Sequence, residues 1–441
     1  MKKLIFLFLP IILFAQSFMV SNIPIPKTYI QNLDPYVCNE ECLQEYLDND
    51  MIFSFLAHAD SKLENRDQDE IRMMNISILN LGSYLPGGEL RIALLLPYKK
   101  IGKYASSTTN ASFAYLMTKS HPFELKSYKV ESEEIEDLQA ALQTIQNDGF
   151  NYIIAPLTKN GAENISIIDP EVNVYFPTIN KRDINSSSPY LAYGGIDYQA
   201  QSDLLVEEAL SPMIIFYDKS SLGKKLAIYQ EDKFKYEELN ASSEDMQLQE
   251  FSAYVEKPLK VRIEDHETIR YSIARRTTNL EIYLKENEKI NDGSFFINTP
   301  IVKSSMIMSQ LTLYDVNVTN VLSTQINYDP LILSMTQYTD REKMLIANSI
   351  TEENNVLIET NSLLGNDIVY DWINYTTTVG IDYFYNLITL EDREYNIPIQ
   401  DNQMLYSIEL ISPSLSKFIP YVRPDREEEL DLELELEETT E

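Results

Sequence analysis

Six polar side chains each follow an apolar run of the sequence, where they could bind a small ligand by hydrogen bonding. They are Tyr98, Thr158, Asn180, Ser220, Ser221 and Thr299. Loops that follow buried strands line the ligand clefts of α/β proteins, so we take these six residues as candidate ligand contacts. The same residue types also cap helices and complete turns, and this commoner structural role stays open for each of them.

Residues able to support catalysis do not form a recognisable group. His58, His121 and His266 lie in separate parts of the chain without metal-ligand spacing. No Gly-x-Ser-x-Gly elbow, phosphate loop or His-Glu-x-x-His motif occurs, and carboxylates are too numerous to single out a catalytic pair. We therefore predict a binding protein that is not an enzyme and that carries no metal or cofactor.

A strand–helix–strand unit positions the first of the candidate residues. Residues 92–97 and 152–157 are short apolar runs that end in or contain proline, and residues 134–145 between them have a helical pattern. Continuous apolar runs of this length are typical of strands that are buried on both faces. A βαβ unit makes the two strands parallel, which predicts an α/β fold with helices on both faces of the sheet.

The same alternation continues along the chain, from residue 89 to residue 424. The patterns predict strands over residues 173–180, 213–218, 250–263, 294–300, 317–323 and 404–411, and helices over 200–210, 264–284, 302–313 and 367–387. Before this part, residues 16–88 predict an extension of about three short helices within 36–81, with one of them over 67–81. Gly and Pro residues at 82–88 predict a linker.

The ends and the charge of the chain indicate its compartment. Residues 1–15 have two lysines, a short apolar stretch and an alanine before Gln16, which is the pattern of a cleaved secretory signal peptide. The apolar stretch is too short for a membrane-spanning helix, so we expect no direct membrane span. The formal net charge of −32 disfavours binding to nucleic acid or anionic lipid. We predict a periplasmic protein.

The chain has two cysteines, Cys38 and Cys42, spaced one helical turn apart. In an oxidising compartment this spacing permits a local disulfide, which we favour over a functional thiol pair. The spacing is not Cys-x-x-Cys, and the absence of a third cysteine or a nearby histidine cluster disfavours zinc.

Two further patterns concern the surface. Residues 425–441 are strongly acidic, and we predict a disordered tail, although the alternation in 432–437 could add an edge strand on binding a basic partner. Asn185 and Asn240 match the bacterial N-glycosylation sequon, which has an acid two residues before the asparagine and a hydroxyl two residues after it. Both are candidate glycosylation sites in a host with that system.

The order of these elements resembles a known fold. Residues 90–421 resemble the type I periplasmic-binding-protein fold, and more closely the periplasmic domain of the activators of penicillin-binding proteins. The stretches that carry the likeness are residues 92–97, 153–157, 176–180, 292–296 with 310–314, and 367–372. The chain differs from the family in having lysines in the loop 97–105, only 12 glycines and no lipid-bearing cysteine after the signal.

The resemblance implies a two-lobed type I periplasmic-binding-protein-like sandwich behind the short N-terminal helical extension. It also implies a regulatory or protein-interaction module of the cell envelope, with an envelope protein as partner. The alternative is a solute-binding receptor for an amino acid or a similar small molecule. In such receptors hydroxyls and helix N-terminal amides hold the ligand carboxylate, and Thr158 resembles one of these residues by position.

Overall fold

The computed structural model describes residues 30–79, 81, 90–239 and 259–423. The predicted signal peptide, the acidic tail at 425–441 and Asn240 lie outside the described residues. The packing of the chain divides it into two compact units, Met1–Gly88 and Glu89–Glu441.

The first unit is helical in its described part. Its helices are α1 (Glu40–Asp48), α2 (Ile52–His58) and α3 (Arg66–Ile78). Asparagine caps two of them, since Asn39 accepts a hydrogen bond from a backbone amide of α1 and Asn65 accepts two from α3. Phe55, Leu56 and Leu43 form the buried centre of this small core.

The predicted disulfide is present at the start of α1. It joins Cys38 to Cys42, whose Cα atoms lie 5.4 Å apart, and it encloses the capping residue Asn39. The bridge therefore closes the first turn of the helix onto its own cap.

The second unit alternates strands and helices. Its strands are β1 (Leu90–Leu96), β2 (Phe123–Lys129), β3 (Tyr152–Ile154), β4 (Asn173–Phe176), β5 (Leu191–Tyr193), β6 (Met213–Tyr217), β7 (Tyr236–Leu239), β8 (Leu259–Arg262), β9 (Thr268–Ser272), β10 (Gly293–Asn298), β11 (Val318–Ser323), β12 (Met344–Asn348), β13 (Ile399–Gln400), β14 (Gln403–Met404), β15 (Glu409–Pro413) and β16 (Phe418–Pro420). Its helices are α4 (Tyr98–Ile101), α5 (Tyr104–Met117), α6 (Ile135–Asn147), α7 (Lys159–Ile168), α8 (Tyr198–Val206), α9 (Ser221–Lys235), α10 (Glu281–Leu284), α11 (Ile301–Leu313), α12 (Leu331–Met335), α13 (Tyr338–Arg341), α14 (Asn355–Leu363) and α15 (Trp372–Thr389).

The first lobe is built on a sheet of order β13-β14-β5-β4-β3-β1-β2, in which β1 to β5 are parallel. Successive residues of β4 point to opposite faces. Val174 and Phe176 pack into the core that α6 and α7 cover, whereas the ring of Tyr175 contacts Phe384 of α15 on the other face. Burial on both faces explains the continuous apolar runs of these strands.

The second lobe repeats this architecture with the order β16-β15-β12-β11-β10-β6-β9. Strands β6, β9, β10, β11 and β12 are parallel, and β15 and β16 run antiparallel at one edge. Phe295 and Ile297 join the core that contains α11, whereas Phe296 joins the core that contains α8 and α9. The predicted two-lobed α/β fold is confirmed.

Within the described ranges the chain passes between the lobes three times, at residues 194–197, 349–354 and 405–408. The first passage is close-packed, because a Cβ on Gly195 would lie 2.3 Å from the backbone nitrogen of Asn180. The third passage corrects one prediction. Residues 404–411 are not one strand, since β14 belongs to the first sheet and β15 to the second.

The prediction of a helix over 264–284 is also wrong. This stretch contains β9, which pairs in parallel with β6, and helix only at Glu281–Leu284. Thr268, Ile269 and Tyr271 favour a strand, and the charged Arg270 between them is tolerated because β9 is an edge strand. The predicted strand at 250–263 is observed at Leu259–Arg262, and residues 250–258 lie outside the described residues.

A buried carboxylate fixes the helices of the first lobe. Asp382 of α15 has no exposed side-chain surface and accepts hydrogen bonds from Tyr115 Oη at 2.7 Å, Arg393 Nε at 3.0 Å and the backbone nitrogen of Glu394 at 2.7 Å. Burial and the charge of Asp382 raise the pKa of Tyr115, so its phenol remains a donor. The network ties α15 to α5 and to the loop before β13.

Replacing this carboxylate should be costly. We expect Asp382→Ala to lower the free energy of unfolding by about 3–5 kcal/mol, because it leaves the largely buried Arg393 guanidinium without its charged partner. Denaturant titration measures this change. The matched control Asp392→Ala removes an exposed carboxylate nearby and should change stability by less than about 0.5 kcal/mol. Equal losses in the two variants would contradict the assignment.

Candidate functional site

A cleft of about 710 Å³ lies between the two lobes, at the carboxyl ends of their parallel strands. The first lobe contributes the segments after β1, β3 and β4, and the second contributes the segment after β11. The stretch before α15 and the first two residues of that helix complete the lining. The residues are Lys100, Ile101, Tyr104, Pro156, Leu157, Thr158, Thr178, Ile179, Gln325, Ile326, Tyr328, Asp329, Pro330, Asp367, Tyr370, Asp371, Trp372 and Ile373.

In the first lobe, a carboxylate of the chain itself occupies the start of α7. Glu133, which follows β2, is 2% exposed. Its Oε1 accepts a hydrogen bond from the backbone nitrogen of Thr158 at 2.8 Å, and its Oε2 accepts one from the Thr158 hydroxyl. Since the N-terminus of a helix attracts anions, α7 stabilises this buried charge.

Two neighbours show that the structure is built around this carboxylate. Asn164 donates from Nδ2 to the backbone oxygen of Glu133 at 2.7 Å. A Cβ on Gly161 would come within 2.8 Å of the Glu133 carboxyl carbon, so the glycine leaves the space that the carboxylate fills. Thr158, the N-cap residue of α7, makes no side-chain cap of its own because its hydroxyl is given to Glu133.

In the second lobe, a buried polar network holds the loop after β11. Gln325 donates from its backbone nitrogen to Gln201 Oε1 at 3.0 Å and from Nε2 to Asn348 Oδ1 at 3.0 Å. Its Oε1 accepts from the backbone nitrogen of Ser349 at 2.6 Å. All four side chains are buried, so every broken bond would leave a polar group unpaired. The network connects the cleft wall to the second passage between the lobes.

Aromatic side chains join the two lobes at the cleft. The ring of Tyr328, in the second lobe, lies 5.2 Å from that of Tyr370, which precedes α15 in the first lobe. Both rings contact Phe418 of β16, at 5.0 and 5.9 Å. We call these three residues the aromatic bridge. Elsewhere between the lobes, Lys225 of α9 forms an ion pair with Asp183.

The start of α15 places an indole and a carboxylate on the cleft wall. Trp372, the single tryptophan of the chain, packs edge-on against Tyr406 at 4.7 Å. Asp371 is the N-cap and accepts hydrogen bonds from the backbone nitrogens of Ile373 and Asn374. Burial raises the pKa of Asp371, because desolvation outweighs these two donors and the charge of Lys103.

The structure brings one of the six predicted contact residues, Thr158, to this cleft. Tyr98 is the first residue of α4 and does not belong to the lining. Asn180 is buried, and its Nδ2 donates to the carbonyl oxygens of Gly195 and Ile196 at 3.3 and 3.4 Å. It therefore fixes the first passage between the lobes and lines a second, smaller cavity of about 80 Å³ there.

The other predicted contacts serve the helices they begin. Ser220 caps α9 by accepting a hydrogen bond from Gly223, and Ser221 is the exposed first residue of that helix. Thr299 is 1% exposed and exchanges hydrogen bonds with Ser304 of α11. The candidate glycosylation residue Asn185 is exposed, and its glycosylation stays a prediction.

Sequence reasoning missed Glu133 and the aromatic lining. Glu133 follows β2, an edge strand whose charged residues hide its apolar alternation, so the sequence pattern does not single out the loop after it. Tyr370, Asp371 and Trp372 fell inside a stretch assigned to a helix. The signal available was the Asp371-Trp372 pair, since aspartate is a preferred N-cap and marks where α15 begins.

The described residues contain neither a membrane-spanning helix nor a metal-binding cluster. No helix in residues 30–79, 90–239 or 259–423 is long and apolar enough to cross a membrane. No group of three or more His, Cys, Asp or Glu side chains in the same part of the chain is arranged to hold a metal ion.

Comparison with solved structures identifies the fold. The leucine-binding protein LivK of Thermotoga maritima aligns with 76% of this chain and 99% of its own, at 12% identity and a TM-score of 0.50. LivJ of Streptococcus pneumoniae, a branched-chain amino acid substrate-binding protein solved with isoleucine, aligns with 75% of this chain and 97% of its own, at 8% identity and a TM-score of 0.51. The fold is that of the type I periplasmic binding proteins.

A third solved structure aligns at a lower TM-score. The C-domain of LpoA from Haemophilus influenzae, a regulator of PBP1A, aligns over 75% of this chain and 100% of its own, at 10% identity and a TM-score of 0.47. No protein-family model and no curated protein matches the sequence.

The interaction at the start of α7 can be tested by mutation. We expect Glu133→Ala to lower the free energy of unfolding by about 1–3 kcal/mol, because the amide and hydroxyl of Thr158 lose their acceptor. Chemical denaturation measures this loss. Glu134→Ala is the matched control, since its side chain is exposed and makes no cap. A control that lost as much stability as Glu133→Ala would refute the structural role.

The aromatic bridge predicts a restraint on lobe movement. We expect Tyr370→Ala to broaden the distribution of distances between the lobes, because each ring contact contributes about 0.5–1.5 kcal/mol. Spin labels on engineered cysteines at the exposed positions Gln143 and Thr312 report this distance, since both native cysteines are engaged in their disulfide. Tyr104→Ala, which removes an exposed cleft tyrosine outside the bridge, is the control. An unchanged distribution in Tyr370→Ala would show that the bridge does not restrain the lobes.

Proposed function

We propose that this chain is a non-enzymatic, exported protein of the cell envelope that acts as a protein-interaction or regulatory module. The fold supports binding rather than catalysis, since LivK and LivJ, which share it, are binding proteins. The sequence resemblance to activators of penicillin-binding proteins supports the regulatory version, and the secretory signal pattern supports export to the periplasm.

The observation that carries the proposal is the position of Glu133. A receptor for a free amino acid needs donors for the ligand carboxylate, and the amide and hydroxyl of Thr158 are the donors that its fold would offer. Both are already bound to the buried Glu133 carboxylate. A second carboxylate at this place would meet a like charge and would have to displace the buried Glu133 carboxylate from its donors.

The solute-receptor alternative draws support from the amino acid-binding proteins that share the fold and from the open volume of the cleft. A volume of about 710 Å³ is large enough for an organic ligand. The two functions differ in what they predict for free α-amino acids, since a receptor must bind the carboxylate and an interaction module of this construction has no place for it.

A thermal-shift screen of the mature protein against the amino acids decides between them. We expect no shift, whereas a receptor at a ligand concentration a hundredfold above the dissociation constant would be stabilised by about 2.7 kcal/mol. Glu133→Gln in the same screen tests whether the internal carboxylate is the cause, because loss of its charge should permit weak binding. A reproducible shift with the unmodified protein would overturn the interaction proposal.

A further inference from the structure

The charge of the cleft lining differs from what a carboxylate-bearing ligand requires. Three of the lining residues, Asp329, Asp367 and Asp371, are acidic, whereas Lys100 is the single basic residue among those described around the cleft. Lys103 lies close enough to act on Asp371 but does not line the cleft. Since Glu133 is also buried behind Thr158, the charges around the cleft favour a positively charged ligand.

The aromatic rings beside these carboxylates also favour a positively charged ligand. Burial raises the pKa of Tyr328 and of Tyr370, and the charges of Asp367 and Glu353 raise both further. The two phenols therefore remain neutral in a negative local potential. Tyrosine and tryptophan rings attract cations through their faces, and this attraction grows when the cation is partly desolvated.

Each carboxylate of the lining is held in place before any ligand arrives. Asp329 Oδ1 accepts from the backbone nitrogen of Leu331, and Asp367 Oδ1 accepts from those of Val369 and Tyr370. These bonds are made within each turn and use one oxygen of each carboxylate. The backbone thus orients these groups at the cleft wall and leaves the second oxygen of each for a ligand.

We propose that the cleft binds the ammonium or guanidinium of a basic side chain carried by an extended segment of the partner protein. Asp329, Asp367 and Asp371 face its charge, and Tyr328, Tyr370 and Trp372 pack against its aliphatic stem. This deepens the proposed function and rests on it. A peptide segment fits better than a free basic amino acid, because its α-carboxylate is consumed in a peptide bond and brings no negative charge into the cleft.

Trp372 makes the proposal directly measurable. As the single tryptophan of the chain and a lining residue, it reports binding in the cleft through its own fluorescence. The probe is a blocked pentapeptide, acetyl-Gly-Arg-Gly-Arg-Gly-amide, titrated into the mature protein. Matched peptides with glutamine or glutamate in place of arginine have the same length and no terminal charge.

We expect a saturable change of Trp372 fluorescence with the arginine peptide, weakened by added salt, and no saturable change with the other two. Asp367→Asn keeps the oxygen that accepts from the turn and removes the charge, so it should weaken binding about two- to fivefold. Asp392→Asn, an exposed carboxylate outside the cleft, should leave the affinity unchanged. Thermal denaturation confirms that both variants are folded.

Three outcomes would overturn the proposal. The first is the absence of a saturable response to the arginine peptide, and the second is an equal response to the glutamine peptide. The third is binding of agmatine, a free amine with the arginine side chain, as tight as that of the peptide, which would assign the cleft to a small organic cation instead. Failure of the proposed function would be seen in a different experiment, because free amino acids would then raise the melting temperature in the thermal-shift screen.

Discussion

Burial of each parallel sheet on both of its faces is the constraint on which this structure depends. A parallel sheet cannot leave a face in water, so helices must cover both sides, and most of the connections between its strands are helical. The strands then all end at one edge of each lobe. Because the two lobes present these edges to each other, the cleft is a direct consequence of the packing.

The same constraint explains the position of Glu133. The loop after β2 begins at the carboxyl edge of the first sheet and brings Glu133 next to the start of α7. A buried carboxylate is stable only if donors compensate its lost hydration, and the amide and hydroxyl of Thr158 provide them. The donors that the fold could direct at a ligand are therefore part of the structure itself. The acidic and aromatic side chains of the cleft are left to contact a ligand.

The sequence predicts the strands that are buried on both faces and fails at the edges. Residues 92–97 and 152–157 are continuous apolar runs, and β1 and β3 lie inside their sheet. Strands β2 and β9 are outermost, and the charged residues they carry removed the pattern. The division of residues 404–411 between two sheets could not be predicted, because alternation shows which residues face a core but not which core.

The candidate site was predictable only in part, for a related reason. Thr158 follows a recognisable strand and lies where such residues should lie. Its partner is 25 positions away in a loop whose strand was not recognised, so the pattern gave no sign that its hydroxyl was already bound. Tyr328 and Tyr370 come from segments 42 positions apart in different lobes, and only the tertiary fold places their rings 5.2 Å from each other.

The aromatic bridge connects recognition to the arrangement of the lobes. Tyr328 and Tyr370 both line the cleft and contact each other across it, so a side chain that inserts between them must replace their mutual contact. A ligand changes a conformational equilibrium only by the difference in its affinity for the two states. A ligand that packs on either ring while leaving the pair in contact favours the present arrangement, and one that separates the rings favours a more open one. The binding free energy of such a ligand is therefore coupled to the separation of the lobes. Through this coupling, occupancy of the cleft can be transmitted to other surfaces of the two lobes.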